Sequence, residues 1–86
     1  MRAQMTETNR SKGNGRAAEL GEWVRSRRLA SNVNQRDLAA RAGMSRSYLC
    51  DIERGRGGQP SLQCLDRIAA ALGADRTEIL AASGIL

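Results

Sequence analysis

The chain has no histidine and no phenylalanine, and only one tryptophan, one tyrosine, one proline and two cysteines in 86 residues. Each shortage excludes something. Without histidine, and with no pair of carboxylates arranged for acid–base work, common catalytic sites lack their residues, and no enzyme is expected. Cys50 and Cys64 without histidine cannot close a four-ligand zinc site within one chain, so no metal or other cofactor is expected. Nothing in the spacing supports a disulfide, and both cysteines read as small helix residues. The apolar stretches at 68–72 and 79–86 are far too short to span a bilayer. The N-terminus lacks the apolar core of a signal peptide, so the expected location is the cytoplasm. With so few aromatics, the interior must be built from Leu, Ile, Val and Ala. With a single proline, helices are the expected elements.

Arginine, by contrast, is plentiful. Basic residues number 14 against 9 acidic ones, a net charge of +5, and all but Lys12 are arginine. A small arginine-rich domain is attracted to polyanions, although charge alone is a weak pointer to nucleic acid. Hydrophobic residues make up 41% of the chain, enough for one compact domain.

Residues 1–15, "MRAQMTETNRSKGNG", show no periodicity and read as a flexible basic tail ahead of a domain over 16–86. A first helix is expected over 16–30, with Leu20 and Val24 on one face and Trp23 at its edge. Asn32 tolerates the left-handed conformation that ends a helix. Asn34 then caps a second helix with Leu38, Ala39 and Ala42 inward, broken by Gly43. Ser45 caps a third, held by Leu49 and Ile52 and stopped at Gly55. "GRGGQP" is a loop, and Ser61 caps a fourth helix with Leu62, Leu65, Ile68, Ala69 and Leu72 on its apolar face. Asp75, with Glu78 three residues on, opens a fifth containing Ile79 and Leu80.

Helices two and three are separated by a turn of about three to four residues, which suits helices that cross steeply. Leu49 and Ile52 pin the third helix to the core, and its outward face carries Arg46, Ser47 and Asp51. A helix held in this way can project its N-terminal residues into a DNA major groove.

The run "NQRDLAARAGMSRSYLCDIERG" resembles the helix-turn-helix of the phage repressor and Cro family, also called the xenobiotic-response-element (XRE) family. The likeness extends over residues 20–82 and includes "LGEWVRSRR", "PSLQCLDRIAAALGA" and "TEIL". It implies an all-α, compact five-helix bundle of the lambda-repressor-like type. It also implies roles. Gln35 matches a glutamine that touches the DNA backbone and buttresses the reading helix. Arg46, Ser47 and Asp51 match base-facing positions, and Ser45, Tyr48, Arg54 and Arg56 match positions near phosphates. The loop around Gln59 is expected beside the same strand. Arg28 and Glu53 match a pair that ties helix one to the end of helix three. Two positions depart from the pattern: Arg27 stands where many relatives are apolar, and Asn32 stands where a glycine is common.

The resemblance implies a sequence-specific transcriptional regulator, acting as a repressor and bound to double-stranded DNA as a homodimer. Ile79, Leu80, Ile85 and Leu86 are the candidate dimer contacts, with simple core closure as the other use of helix five. No second, ligand-sensing domain is expected. The competing function is an antitoxin that binds a partner toxin and represses its own operon. A polymerase subunit is the other candidate protein partner.

Overall fold

The computed structural model describes the backbone of residues 4–86 and the side chains of residues 16–86. Five α-helices follow one another: α1 (Gln4–Ala30), α2 (Gln35–Arg41), α3 (Arg46–Glu53), α4 (Leu62–Leu72) and α5 (Arg76–Ala82). There is no strand among the described residues.

Local chemistry places each boundary. Asn34, Ser45, Ser61 and Asp75 stand before α2, α3, α4 and α5 in extended backbone. Each side chain accepts a hydrogen bond from a backbone N–H of the first turn, satisfying a donor the helix leaves free. The far ends share one device as well. Asn32, Gly43, Gly55, Gly73 and Gly84 all have positive φ. The residue after each donates to a carbonyl in the last helical turn, as in Ala74 N to Ala69 O at 2.9 Å and Met44 N to Ala39 O at 2.9 Å. Asn32, at φ +60°, does so without being glycine.

The helix α1 starts at Gln4, whereas the sequence suggests a tail over residues 1–15. Residues 4–12 contain no proline or glycine, Gly13 and Gly15 are carried within the helix, and extending an existing helix costs far less than nucleating one. The side chains of the expected basic tail, and residues 1–3 entirely, lie outside the described residues.

The core is a single cluster contributed by all five helices. Leu20 and Val24 of α1 meet Leu38 and Ala39 of α2, Leu49 and Ile52 of α3, Leu65, Ile68 and Ala69 of α4, and Ile79 and Leu80 of α5. Fully burying one such leucine or isoleucine contributes about 1.5–3 kcal/mol. The helix α1 packs on α3, α4 and α5, while α2 packs on α3 and α4.

Two expectations change here. Ile79 is fully buried and Leu80 is 9% exposed, so both belong to the core of their own chain and not to a dimer contact. A seven-residue helix has one apolar face, and α5 turns it toward α1 and α4. Ile85 and Leu86, beyond that helix, are exposed. Leu62 is also exposed, at 51%. It is the first residue of α4, where the side chain points back toward the N-terminus and past the edge of the core.

Candidate nucleic-acid interface

The turn between α2 and α3 depends on Gly43. Its φ is +71°, and an added Cβ would meet nothing within 4 Å. The demand is therefore conformational rather than steric. Gly21 on α1 is the reverse case. Its φ is ordinary, but a Cβ there would sit 2.5 Å from the Glu53 carbonyl oxygen and 2.6 Å from that of Ile52. The end of α3 lies directly on the backbone of α1 at this point. The close approach joins residues more than thirty apart, so no local sequence signal marks it.

Leu49 and Ile52 hold α3 in the core, at 0% and 4% exposure. Its opposite face and its leading turn are open: Ser45, Arg46, Ser47, Tyr48, Asp51 and Arg54 are all exposed. Arg56 and Gln59, in the loop that follows, are exposed as well. The structure thus brings eight of the nine sequence-selected DNA-binding residues to the surface on one helix and its flanks. The ninth, Gln35, is half-buried at the start of α2.

Gln35 belongs to a hydrogen-bonded node behind α3. The Glu53 carboxylate accepts from Arg28 Nε at 2.7 Å and from Arg28 Nη2 at 3.0 Å. It also accepts from Gln35 Nε2 at 3.1 Å, and Arg28 Nη1 donates to the Val33 carbonyl at 3.0 Å. One arginine and one glutamate therefore tie α1, the α1–α2 link, α2 and α3 together. The side chains of Arg28 and Glu53 are only 10% and 3% exposed, so each depends on the other. The two-pronged geometry also fixes direction, which a lysine in place of Arg28 would not do.

Arg28, Asn34, Gln35, Arg36 and Arg46 line an open cleft of about 410 Å³ between the starts of α2 and α3. Arg36 was not among the residues singled out from sequence. A signal for it exists: Arg36 and Arg46 both stand in the first turn of a helix, where the backbone dipole disfavours positive charge. Such placement fits an anionic ligand outside the helix. Arg46, Ser47 and Cys50 line a second open cleft, of about 340 Å³.

Tyr48 lies against Cys64 of α4. Burial pushes the Tyr48 phenol above its ordinary value, and the neighbouring thiol adds to the effect. Burial also raises the Cys64 thiol, opposed by its hydrogen bond with Tyr48 and by the charge of Arg67. Both groups are therefore neutral near pH 7. Cys50 and Cys64 are free, half-buried thiols. Among the described residues, no group of His, Cys, Asp and Glu is placed to hold a metal ion, and no helix is long and apolar enough to cross a membrane.

Comparison with known proteins gives this arrangement a family. A family model described as a helix-turn-helix domain matches residues 19–82. The immunity repressor protein of Bacillus phage phi105 is 44% identical over 54 residues, covering 63% of this chain and 37% of the repressor. The control protein C.BamHI of Bacillus amyloliquefaciens is 39% identical over 62 residues, covering 71% of this chain and 75% of that protein. The crystal structure of the clp gene regulator ClgR from C. glutamicum superposes with a TM-score of 0.70 at 33% identity, covering 80% of this chain and 88% of the other. The chain spans less than half the length of several curated relatives that it matches, the phage repressor included. The chain belongs to the helix-turn-helix domain family of the phage-repressor (XRE) type.

Proposed function

We propose that this chain reads a specific double-stranded DNA sequence with α3 in the major groove, as a homodimer on a two-fold symmetric operator, and represses transcription there. The observation that carries this is the opposition of the two faces of α3. Leu49 and Ile52 anchor it while Arg46, Ser47 and Asp51 stand free.

In this account Arg46 donates two hydrogen bonds to guanine O6 and N7, and Asp51 accepts from cytosine N4. Ser47 serves either base or backbone. The Ser45 hydroxyl accepts from Tyr48 N in the cap, which leaves its own proton for a phosphate. Tyr48, Arg54 and Arg56 add phosphate contacts, and Gln59 contributes from the loop. Arg36 joins them from the cleft beside Arg46. Gln35 keeps one N–H beyond its bond to Glu53 and can offer it to the same strand. Phosphate contacts set register and affinity, while the base contacts set the sequence. The exposed pair Ile85 and Leu86 forms the contact between copies.

Selection from random duplex DNA with the purified protein tests this. A two-fold symmetric site with half-sites about 10–11 bp apart, or a related spacing, is the expected result. Binding that depends on salt but enriches no sequence would contradict it, and would turn attention to the antitoxin function and its protein partner.

A further inference from the structure

The face of the molecule built from α1 and α5 carries a second surface feature that DNA reading does not use. Ala18, Glu19, Glu22, Trp23 and Ser26 of α1 and Ala82 of α5 line an open, almost wholly apolar groove of about 540 Å³. Trp23 is its one large apolar lining residue, and its only charged lining residues are the exposed Glu19 and Glu22. The arginine over the tryptophan, Arg27 at 5.3 Å from the ring centroid, is paired with Glu78.

We infer that this groove docks a cationic amphipathic helix of a partner protein, its apolar stripe on Trp23 and its basic flank on Glu19 and Glu22. Charge complementarity carries the assignment. In a chain of net charge +5, a groove whose lining charges are both negative is a local reversal of sign. DNA is repelled from it. A second copy of this chain centred on the groove would be repelled as well. A two-fold interface sets each patch against itself, so Glu19 and Glu22 would meet Glu19 and Glu22. A groove lined by small residues around one aromatic suits a helix laid along it.

Trp23 is the only tryptophan, so its fluorescence reports on the groove directly. The probes are two synthetic helices of about five turns, leucine along one face, with flanks of lysine in one and glutamate in the other. The lysine peptide is expected to shift Trp23 emission to the blue and saturate, with the glutamate peptide without effect. Charge reversal at Glu19→Lys with Glu22→Lys is expected to weaken the lysine peptide at least ~tenfold at low salt and admit the glutamate peptide. Circular dichroism confirms that the double variant is folded. The inference is overturned if neither peptide moves the emission, if both do so equally, or if the double variant binds the lysine peptide as before. It is also overturned if the emission shifts with protein concentration alone and peptide cannot compete, because a second copy then fills the groove. The readout needs no operator and is independent of whether α3 reads DNA.

Discussion

Arg27 and Arg28 are neighbours on α1, yet they belong to two different regions of the molecule. Arg28 faces α2 and α3, where its side chain is 10% exposed and reaches both oxygens of Glu53 and the Val33 carbonyl. Arg27 faces α5, where it lies over Trp23 and pairs with Glu78 in the open, the two side chains 36% and 44% exposed. The residue type is the same and the chain positions are adjacent. What differs is the amount of water that each pair has lost, and that decides what each is worth. A charge out of water needs its partner, whereas an exposed pair trades one hydrated state for another of nearly equal energy. The ion pair on the α2–α3 side of α1 is thus shielded from water, and the one on the α5 side stands open to it.

The largest effect is expected from Glu53→Ala. It leaves the Arg28 guanidinium buried without a counter-charge and frees Gln35, and it is expected to destabilise the fold by about 3–5 kcal/mol in urea unfolding. An unchanged midpoint would mean that the node is ornamental and the contrast between the two sides false. Gly21→Ala probes the same side through space instead of charge. Its methyl would collide with the Ile52 and Glu53 carbonyls, and a loss of about 1–3 kcal/mol is expected as α3 is forced away from α1. Full stability in this variant would show that the two helices have room to separate. Arg56→Ala leaves both sides of α1 untouched. It is expected to lower DNA affinity on all sequences and reduce the slope of log affinity against log salt by about one. The same slope before and after would remove Arg56 from the phosphate contacts. On the wet side, Glu78→Ala is expected to cost less than about 1 kcal/mol. A loss rivalling that of Glu53→Ala would erase the distinction.

What the sequence discloses here is mostly local. Asn34, Ser45, Ser61 and Asp75 announce helix starts because a cap bonds to a backbone N–H two or three residues away. Gly43, Gly73 and Asn32 announce ends because the left-handed turn is a property of one residue. The inward places of Leu38, Leu49, Ile52, Leu65 and Ile68 follow from helical periodicity. The role of Gly21 is not local, since it depends on how α3 lies across α1. In a helix interior it reads only as a poor helix former. Asp75 and Glu78 spell a capping box, yet Glu78 turns to Arg27 across the α1–α5 contact. The destination of Ile79 and Leu80 is hidden for a related reason. A short apolar stripe looks the same whether it meets its own core or another chain. Arg36 sits unfavourably in the dipole of α2, but its place beside Arg46 across the cleft is set by the fold and is not legible in the sequence.

If α3 reads bases, it must carry sequence information and be more than a positively charged edge. The most direct measurement is the affinity of the wild type and of Arg46→Ala, at one fixed salt concentration, for a selected duplex and for a scrambled duplex of the same composition. The variant is expected to lose about 1–3 kcal/mol on the selected duplex and markedly less on the scrambled one, with discrimination relaxed at a single base position. Equal losses on both duplexes would place Arg46 on the phosphates and contradict base reading by α3.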